Sequence, residues 1–384
     1  MNIPFNKPYL AGKELYYVKD AINLGHISAN GKYTKWCQEF FQKKYGFGKC
    51  FLTTSCTDAL EMDALLIKIE PGDEVILPSF TFVSTANAFA LRGAKLVFVD
   101  SRRDHPGMDE DKIENLITSK TKAIVAVHYA GVACNMDIIM DLAERYDLYV
   151  VEDAAHAIDS YYIGEDGNKK ALGSIGHFAT FSFHETKNIS SGEGGMLVLN
   201  DPKLISRAEI IWEKGTNRAA MYKGEVNKYE WIDLGSSFSP SEIIAAYLWA
   251  QLENLKKIQK KRISIWNTYY NCLEGLSSQH GIQLPHLPPF ATNNAHIFYL
   301  ITGSEKQRDH LIETLRRHKI YAVFHYLSLH KSPFYRTKHD GRVLENSTKY
   351  STRLVRLPFY NTLKYSDLKI INDLLYNSLV PQKN

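Results

Sequence analysis

Few features of this sequence mark a disulfide-rich, membrane-spanning or nucleic-acid-binding protein. Its 384 residues include five cysteines and no C-x-x-C pair, so neither a disulfide framework nor a metal site is expected. No apolar run approaches the roughly 18 residues of a membrane helix, and no secretory leader is recognisable. The net charge of +4 is too small to predict a nucleic-acid partner. Together these features predict a cytoplasmic protein with free thiols.

Two common nucleotide-binding motifs are also absent. No G-x-G-x-x-G follows the first predicted strands, and no G-x-x-x-x-G-K-[ST] occurs. A dinucleotide cofactor and a P-loop are therefore not expected. The content of 45% hydrophobic and 23% charged residues is typical of globular proteins, and the length favours two domains.

Strand-like and helix-like segments alternate through the first two-thirds of the chain. This alternation predicts an α/β domain with a mainly parallel sheet, whose ligands bind beyond the carboxyl ends of the strands. After residue 290 the pattern changes to a smaller α+β domain. The predicted strands are 74–80, 95–100, 122–128 and 148–154, and the predicted helices are 109–118, 135–147 and 240–276.

Three segments carry candidate chemistry. Asp153 ends an apolar strand and either faces a ligand crevice or caps the next helix. The hydroxyl-rich residues 53–57 precede a helix, whose start either binds a phosphate or is simply capped by Ser or Thr. Lys187 follows another strand and precedes the glycine-rich residues 192–195, so it is either a surface charge or a reagent.

Pyridoxal 5′-phosphate (PLP) needs these three groups together. A lysine forms its Schiff base, an acid faces its pyridine nitrogen, and a polar cup holds its phosphate. The acid keeps the nitrogen protonated, and burial lowers the pKa of the lysine so that its amine can react. The three segments in combination therefore indicate a PLP site.

The chain resembles the DegT-type sugar-nucleotide aminotransferases over essentially its whole length. The resemblance implies a type I PLP-dependent aminotransferase fold, with a mainly parallel seven-stranded sheet in a large domain (1–250) and a smaller C-terminal α+β domain (251–384). The segments that carry it are "TSCTDAL", "PSFTFVSTANAF", "GAKLVFVD", "VHYAG", "VVEDAAHA", "FSFHETKN", "GEGGM", "EKGTNR", "NNAHIFY", "AVFHYLSLH" and "RLPFY".

The same resemblance implies roles for individual residues. Lys187 would form the Schiff base, and Asp153 would pair with the pyridine nitrogen. His156 would lie near the phenolic oxygen of the cofactor, although a plain core histidine is the alternative. The remaining cofactor contacts would come from Phe82 on the ring face and, around the phosphate, from Cys56, Thr57 and Ser182.

Members of this family work as homodimers with shared active sites, so the segment 216–239 is expected to cross to the neighbour. Many members carry an asparagine that reaches the phosphate of the partner's cofactor, and here Ser237 takes its place with a shorter reach. The substrate loop is expected to contain His325, Tyr326 and His330, with His296 and Tyr299 nearby.

The resemblance further implies an enzyme that moves an amino group from L-glutamate to a nucleotide-linked keto-deoxysugar. The sequence leaves open the carbon that is aminated, the epimer and the nucleotide base. Relatives that are sugar dehydratases carry histidine in place of the lysine, and a non-catalytic sensor on this fold should lack the lysine or the acid. Lys187 and Asp153 therefore favour the aminotransferase.

Overall fold

A mixed but mainly parallel sheet forms the centre of the chain in the computed structural model, which describes residues 2–379 and only the backbone of 276–280. Its strand order is β1-β9-β8-β5-β4-β2-β3, and β9 alone runs antiparallel to its neighbours. The strands in chain order are β1 Lys49–Thr53, β2 Glu74–Pro78, β3 Lys95–Val99, β4 Thr121–Val127, β5 Tyr149–Asp153, β6 Tyr161–Ile163, β7 Lys169–Ala171, β8 Phe178–Ser182, β9 Gly195–Leu199, β10 Tyr299–Ile301, β11 Val323–Phe324 and β12 Leu354–Arg356.

Helices cover both faces of this sheet because the strand residues alternate between two buried clusters. Ile76 and Ile124 face one cluster, whereas Val75 and Val125 face the other. The helices are α1 Glu14–Asn23, α2 Lys32–Tyr45, α3 Cys56–Leu66, α4 Val83–Ala90, α5 Met136–Tyr146, α6 Ile205–Trp212, α7 Arg218–Tyr222, α8 Glu242–Glu253, α9 Leu255–His280, α10 Glu305–Arg317, α11 Glu345–Arg353 and α12 Tyr365–Leu379.

A second, three-stranded antiparallel sheet with the order β10-β12-β11 lies in the C-terminal part of the chain. It packs with α9, α10 and α12 around its own apolar cluster. A further cluster, which includes Phe80, Tyr129, Tyr299 and Tyr350, joins this sheet to the carboxyl edge of the large one. The small sheet is thereby held beside the ends of β2 and β4.

The predicted strands and the α/β fold are confirmed, and two predicted helices are wrong in detail. The single helix expected over 240–276 is two helices that meet at Asn254, whose side chain donates to the Ala250 carbonyl oxygen at 2.9 Å. Residues 109–118 form two 3-10 turns instead of a helix, because the buried Glu110 carboxylate is held by Arg102 and the Asn135 N–H. The domain boundary at residue 250 stays a prediction, and residues 1 and 380–384 lie outside the described range.

Candidate active site

Most of the predicted site residues line one cavity of about 610 Å³ at the carboxyl edge of the large sheet. That volume suits a small-molecule ligand. The small sheet closes one side of the cavity through residues of β12 and the loop after β11. The predicted residues in its wall are Cys56, Thr57, Phe82, Asp153, His156, Ser182, Lys187, His325 and Tyr326.

Asp153 is the last residue of β5, so its side chain leaves the sheet at the cavity floor. The carboxylate is 5% exposed and accepts hydrogen bonds from Thr85 Oγ1 at 2.7 Å and the Ala155 N–H at 3.2 Å. Burial raises the pKa of Asp153, and these hydrogen bonds oppose that rise. The acid is therefore fixed in place with one side of its carboxylate toward the cavity.

Lys187 lies in the turn that follows β8 and extends into the same cavity. Burial lowers the pKa of its amine to about 8, the positive charge of Arg356 adds to that fall, and Asp153 opposes it. An amine with this pKa is partly neutral near pH 7, and the neutral form is the nucleophile. This environment contradicts the surface-charge alternative.

The start of α3 forms the third wall of the cavity. Ser55 caps this helix by accepting from the Asp58 N–H at 3.1 Å, which confirms the capping alternative without excluding a phosphate site. Cys56 and Thr57, the first two residues of α3, line the cavity, and their N–H groups have no partner within the helix. The Thr57 hydroxyl donates to Ser84 Oγ at 2.8 Å, and Ser84 also lines the cavity. Burial raises the pKa of the Cys56 thiol, so this cysteine is a protonated wall residue.

Stacked aromatic rings form another wall of the cavity. His156 stacks on His296 with ring centroids 4.1 Å apart and lies 3.3 Å from the Tyr326 hydroxyl. Burial lowers the pKa of His156, so its ring is neutral. Tyr326 stacks on His325 at 3.6 Å, and Phe82 lies 6.0 Å from Tyr326 with 54% of its surface exposed.

Three predicted residues lie outside this cavity. His330 is buried against Ser79, 2.6 Å from its hydroxyl, and Tyr299 belongs to the cluster that joins the two sheets. Both side chains are buried among other residues and do not reach the cavity. Ser237 is exposed and bridges to Glu213. Ser237 does not line the cavity of its own chain, and its predicted contact with a neighbouring subunit stays a prediction.

Sequence reasoning missed two residues that the fold brings to the site. Thr85 donates to Asp153 across 68 residues of chain, and Arg356 enters the cavity from β12. Thr85 lies three residues after Phe82, at a spacing that places both on one side of α4. Arg356 is a lone charge within the apolar segment "LVRLPF", and this pattern could have marked it as a candidate site residue.

These residues fit PLP. The amine of Lys187, the buried carboxylate of Asp153 and the open start of α3 are the three groups that the cofactor needs. Gly195 allows the start of α3 to lie close against β9, because an added Cβ would lie 2.3 Å from the Ser55 carbonyl carbon. Among the described residues, no cluster of His, Cys, Asp and Glu could hold a metal ion. No helix within 2–379 is long and apolar enough to cross a membrane.

Comparisons with known proteins identify a family. A sequence model of the DegT/DnrJ/EryC1/StrS aminotransferase family matches residues 8–375. The uncharacterized protein MJ1066 of Methanocaldococcus jannaschii is 32% identical over 374 residues, which are 95% of each chain.

Solved structures are similar to this chain over nearly its whole length. DesV of S. venezuelae is 27% identical, with a TM-score of 0.89 over 100% of both chains. Spr1654 of Streptococcus pneumoniae, described as a candidate sugar aminotransferase and solved in a PMP form, is 25% identical. Its TM-score is 0.88 over 98% of this chain and 99% of that one.

Proposed function

The chain belongs to the DegT/DnrJ/EryC1/StrS aminotransferase family and is a PLP-dependent aminotransferase, and from this premise we propose its substrates. It moves an amino group from L-glutamate to dTDP-4-keto-6-deoxy-D-glucose and forms dTDP-4-amino-4,6-dideoxy-D-galactose. This is the activity of a dTDP-4-amino-4,6-dideoxygalactose transaminase. The product would serve surface polysaccharide synthesis, such as that of enterobacterial common antigen.

One observation carries the proposal that the site is catalytic. Lys187 and Asp153 line the same cavity, and burial lowers the pKa of Lys187 to about 8. A non-catalytic sensor would not need an amine that is reactive near neutral pH. The choice of sugar, nucleotide and epimer rests on the sequence resemblance, and amination of a 3-keto or UDP-linked sugar, or formation of the gluco epimer, is the alternative.

Bound PLP supplies a pyridine ring that accepts the negative charge left when the α-carbon of the donor loses its proton. Asp153 holds a proton at the ring nitrogen, and Thr85 fixes the direction of that carboxylate. With PLP bound, Lys187 Nζ would take the proton from the α-carbon of glutamate and deliver it to the C4′ carbon of the cofactor. With the keto-sugar in place, Lys187 moves a proton in the opposite direction and so determines on which face the new amine forms.

Other residues orient the ligands. The first N–H groups of α3, Thr57 and Ser182 would bind the phosphate, and Phe82 would cover one face of the pyridine ring, since all line the cavity. His156 Nδ1 accepts from the Ala130 N–H at 3.2 Å, and the ring would lie near the phenolic oxygen of bound PLP. His325 and Tyr326 contact the sugar nucleotide, whereas the buried position of His330 leaves it a supporting residue beneath that loop.

We further propose a homodimer in which Ser237 of one subunit reaches the phosphate site of the other. Its exposed hydroxyl and its position outside its own cavity support this arrangement. The division into a cofactor domain (1–250) and a small domain (251–384) belongs to the same proposal. The protein would work in the cytoplasm.

The visible absorption spectrum of the purified protein with PLP tests the function. L-glutamate should abolish the visible band, and dTDP-4-keto-6-deoxy-D-glucose should restore it, with the galacto product identified by NMR. Lys187→Ala and Lys187→His should lower turnover by at least about 10²-fold, because the proton carrier is lost. Turnover retained in either variant would refute the role of Lys187. A preference for a different keto-sugar would refute the substrate.

A further inference from the structure

A histidine with a fixed tautomer lies in the wall of the cavity. His296 is buried, and its Nδ1 lies 2.8 Å from the side-chain oxygen Oδ1 of Asn188. The amide nitrogen of Asn188 donates to Gln259 Oε1 at 2.9 Å and to the Asn294 carbonyl oxygen at 3.0 Å. Because a backbone carbonyl oxygen only accepts, this contact identifies the amide nitrogen and leaves Oδ1 as an acceptor. The proton of the His296 ring is therefore on Nδ1.

The other ring nitrogen of His296, Nε2, keeps a free lone pair. Burial lowers the pKa of His296, and neighbouring groups that include Lys187 add to that fall, so the ring is neutral. Within the described part of the chain, the only hydrogen bond of the ring is the one from Nδ1 to Asn188. Since His296 lines the cavity, Nε2 is a hydrogen-bond acceptor that a ligand can use.

The ring stacked on His296 has the opposite tautomer. His156 Nδ1 accepts from the Ala130 N–H, so the proton of this neutral ring is on Nε2, which lies 3.3 Å from the Tyr326 hydroxyl. The two rings are 4.1 Å apart and offer different groups, because the hydrogen bond at each Nδ1 determines the state of Nε2. His156 presents a donor to Tyr326, whereas His296 presents an acceptor to the cavity.

The chemistry of the two substrates indicates what this acceptor binds. A lone pair attracts an O–H or N–H group and repels a carboxylate. Besides the amine that it gives up, L-glutamate offers two carboxylates, whereas a keto-sugar carries hydroxyl groups beside the carbon that receives the amine. A buried acceptor that binds such a hydroxyl discriminates against a sugar without it, because the lone pair then stays unpaired.

We propose that His296 Nε2 accepts a hydrogen bond from the sugar hydroxyl next to the reacting carbonyl carbon, and that Asn188 holds His296 in the tautomer which this contact needs. This inference rests on the proposed function, in which that hydroxyl is the one on C3. It makes His296 a specificity residue for the keto-sugar and Asn188 a positioning residue. The other candidate donor to Nε2 is the amine of Lys187, which takes part in both half-reactions, and the experiment separates the two.

NMR of the PLP-loaded enzyme, with its histidine ring nitrogens isotopically labelled, tests the tautomer without turnover. The His296 signals, assigned by their loss in His296→Asn, should show a protonated Nδ1 and an unprotonated Nε2 in wild type. Asn188→Leu removes the acceptor for Nδ1 and should give a mixture of the two tautomers. A protonated Nε2 in wild type overturns the inference, and an unchanged tautomer in Asn188→Leu overturns the role of Asn188.

The two half-reactions, measured apart, test the ligand. Return of the visible band in enzyme loaded with pyridoxamine 5′-phosphate is followed against the concentration of dTDP-4-keto-6-deoxy-D-glucose or of its 3-deoxy analogue. Wild type should need about 10- to 100-fold more of the analogue for half-saturation. His296→Asn can still donate to Asn188 but has no group at the position of Nε2, so it should lose this discrimination. His296→Gln places an amide oxygen near that position and should keep part of it.

His105→Asn is the matched control, because His105 is also buried but lies outside the cavity, with its Nδ1 accepting from the Gly107 N–H at 2.8 Å. It should discriminate between the two sugars as wild type does. Equal half-saturation by both sugars in wild type overturns the inference, as does full discrimination in His296→Asn.

The L-glutamate half-reaction, followed by loss of the visible band of the PLP-loaded enzyme, separates the sugar from Lys187. Its half-saturating concentration should be the same in wild type, His296→Asn and His296→Gln. An equal defect in both half-reactions would assign Nε2 to the Lys187 amine and overturn the contact with the sugar. A wild-type enzyme that binds PLP but ignores L-glutamate and both sugars refutes the proposed function itself, which is a different result.

Discussion

At the scale of single residues, the lowered pKa of Lys187 is the property on which the proposed chemistry depends. Burial accounts for most of the shift from the ordinary value to about 8, and Arg356 adds to it while Asp153 opposes it. Because the folded-state pKa is lowered, the neutral amine becomes the main form above about pH 8. A surface lysine would reach that state only above about pH 10.

The capture of PLP by the cofactor-free protein should report this pKa. We expect the capture rate to rise about tenfold per pH unit below pH 8 and to level off above it. Arg356→Gln should move the midpoint to higher pH, because a neighbouring positive charge is removed. Stopped-flow absorbance measures the rate, with Lys187→Ala as the control that captures nothing. A midpoint above pH 10 in wild type would show that Lys187 is not buried in solution.

The sequence could predict Lys187 and Asp153 for a physical reason. Both follow apolar strands of a parallel sheet, and the ends of such strands lie at one edge. It could not predict that Thr85 holds Asp153, since that contact joins segments 68 residues apart. Arg356 was missed for the same reason, because its position in the cavity depends on the packing of the small sheet against the large one.

At the scale of elements, the start of α3 is positioned by its contact with β9. Gly195 opens β9 opposite Thr53, and the backbone of Ser55 and Cys56 passes directly over it. An alanine Cβ at 195 would lie 2.3 Å from the Ser55 carbonyl carbon and 2.4 Å from the Cys56 nitrogen. The free N–H groups of the helix therefore keep their direction only while residue 195 has no side chain.

Gly195→Ala should weaken PLP binding at least about tenfold and destabilise the protein by about 1 to 3 kcal/mol, because α3 must move. Fluorescence titration with PLP and urea unfolding measure the two effects. Gly46→Ala is the control, since Gly46 ends α2 with a positive φ and open space around it. It should cost about 1 to 2 kcal/mol of stability and leave PLP affinity unchanged. Equal PLP affinity in both variants would contradict the role of Gly195.

Element prediction succeeded where local pattern decides the structure and failed where distant contacts do. The four predicted strands and α5 lie within two residues of their expected bounds, because apolar runs between turn residues determine them. The acidic residues 109–118 looked helical, but Glu110 is fixed by Arg102 and Asn135 from other segments. Asn254 interrupts an apolar pattern that continues across it.

At the scale of the whole molecule, the segment 222–234 exposes large apolar side chains close together in the sequence, and exposed apolar patches often mark an interface. It contains five exposed large apolar side chains within 13 residues, of which Trp231 is 78% exposed. The Trp231 indole donates only to the nearby Asp233 carbonyl oxygen at 2.7 Å. The same segment leads to Ser237, so one contact surface would both hold the dimer and bring Ser237 to the neighbouring site.

Trp231→Glu should therefore weaken the dimer and the binding of PLP together. A charged side chain in an apolar interface loses its hydration without gaining a partner, which favours the monomer. Sedimentation at several protein concentrations gives the dimer dissociation constant, and PLP titration of the same samples gives the affinity. We expect the loss of PLP affinity to follow the monomer fraction, since in the proposed dimer the neighbour completes each phosphate site.

Tyr365→Glu separates this effect from the general cost of an added charge, because Tyr365 at the start of α12 is 72% exposed and far along the chain from the segment. That variant should remain a dimer and bind PLP as wild type does. If Trp231→Glu stays a dimer, the segment does not cross to the neighbour. If it becomes a monomer with full PLP affinity, each chain completes its own phosphate site, and the proposed role of Ser237 falls while that of Lys187 stands.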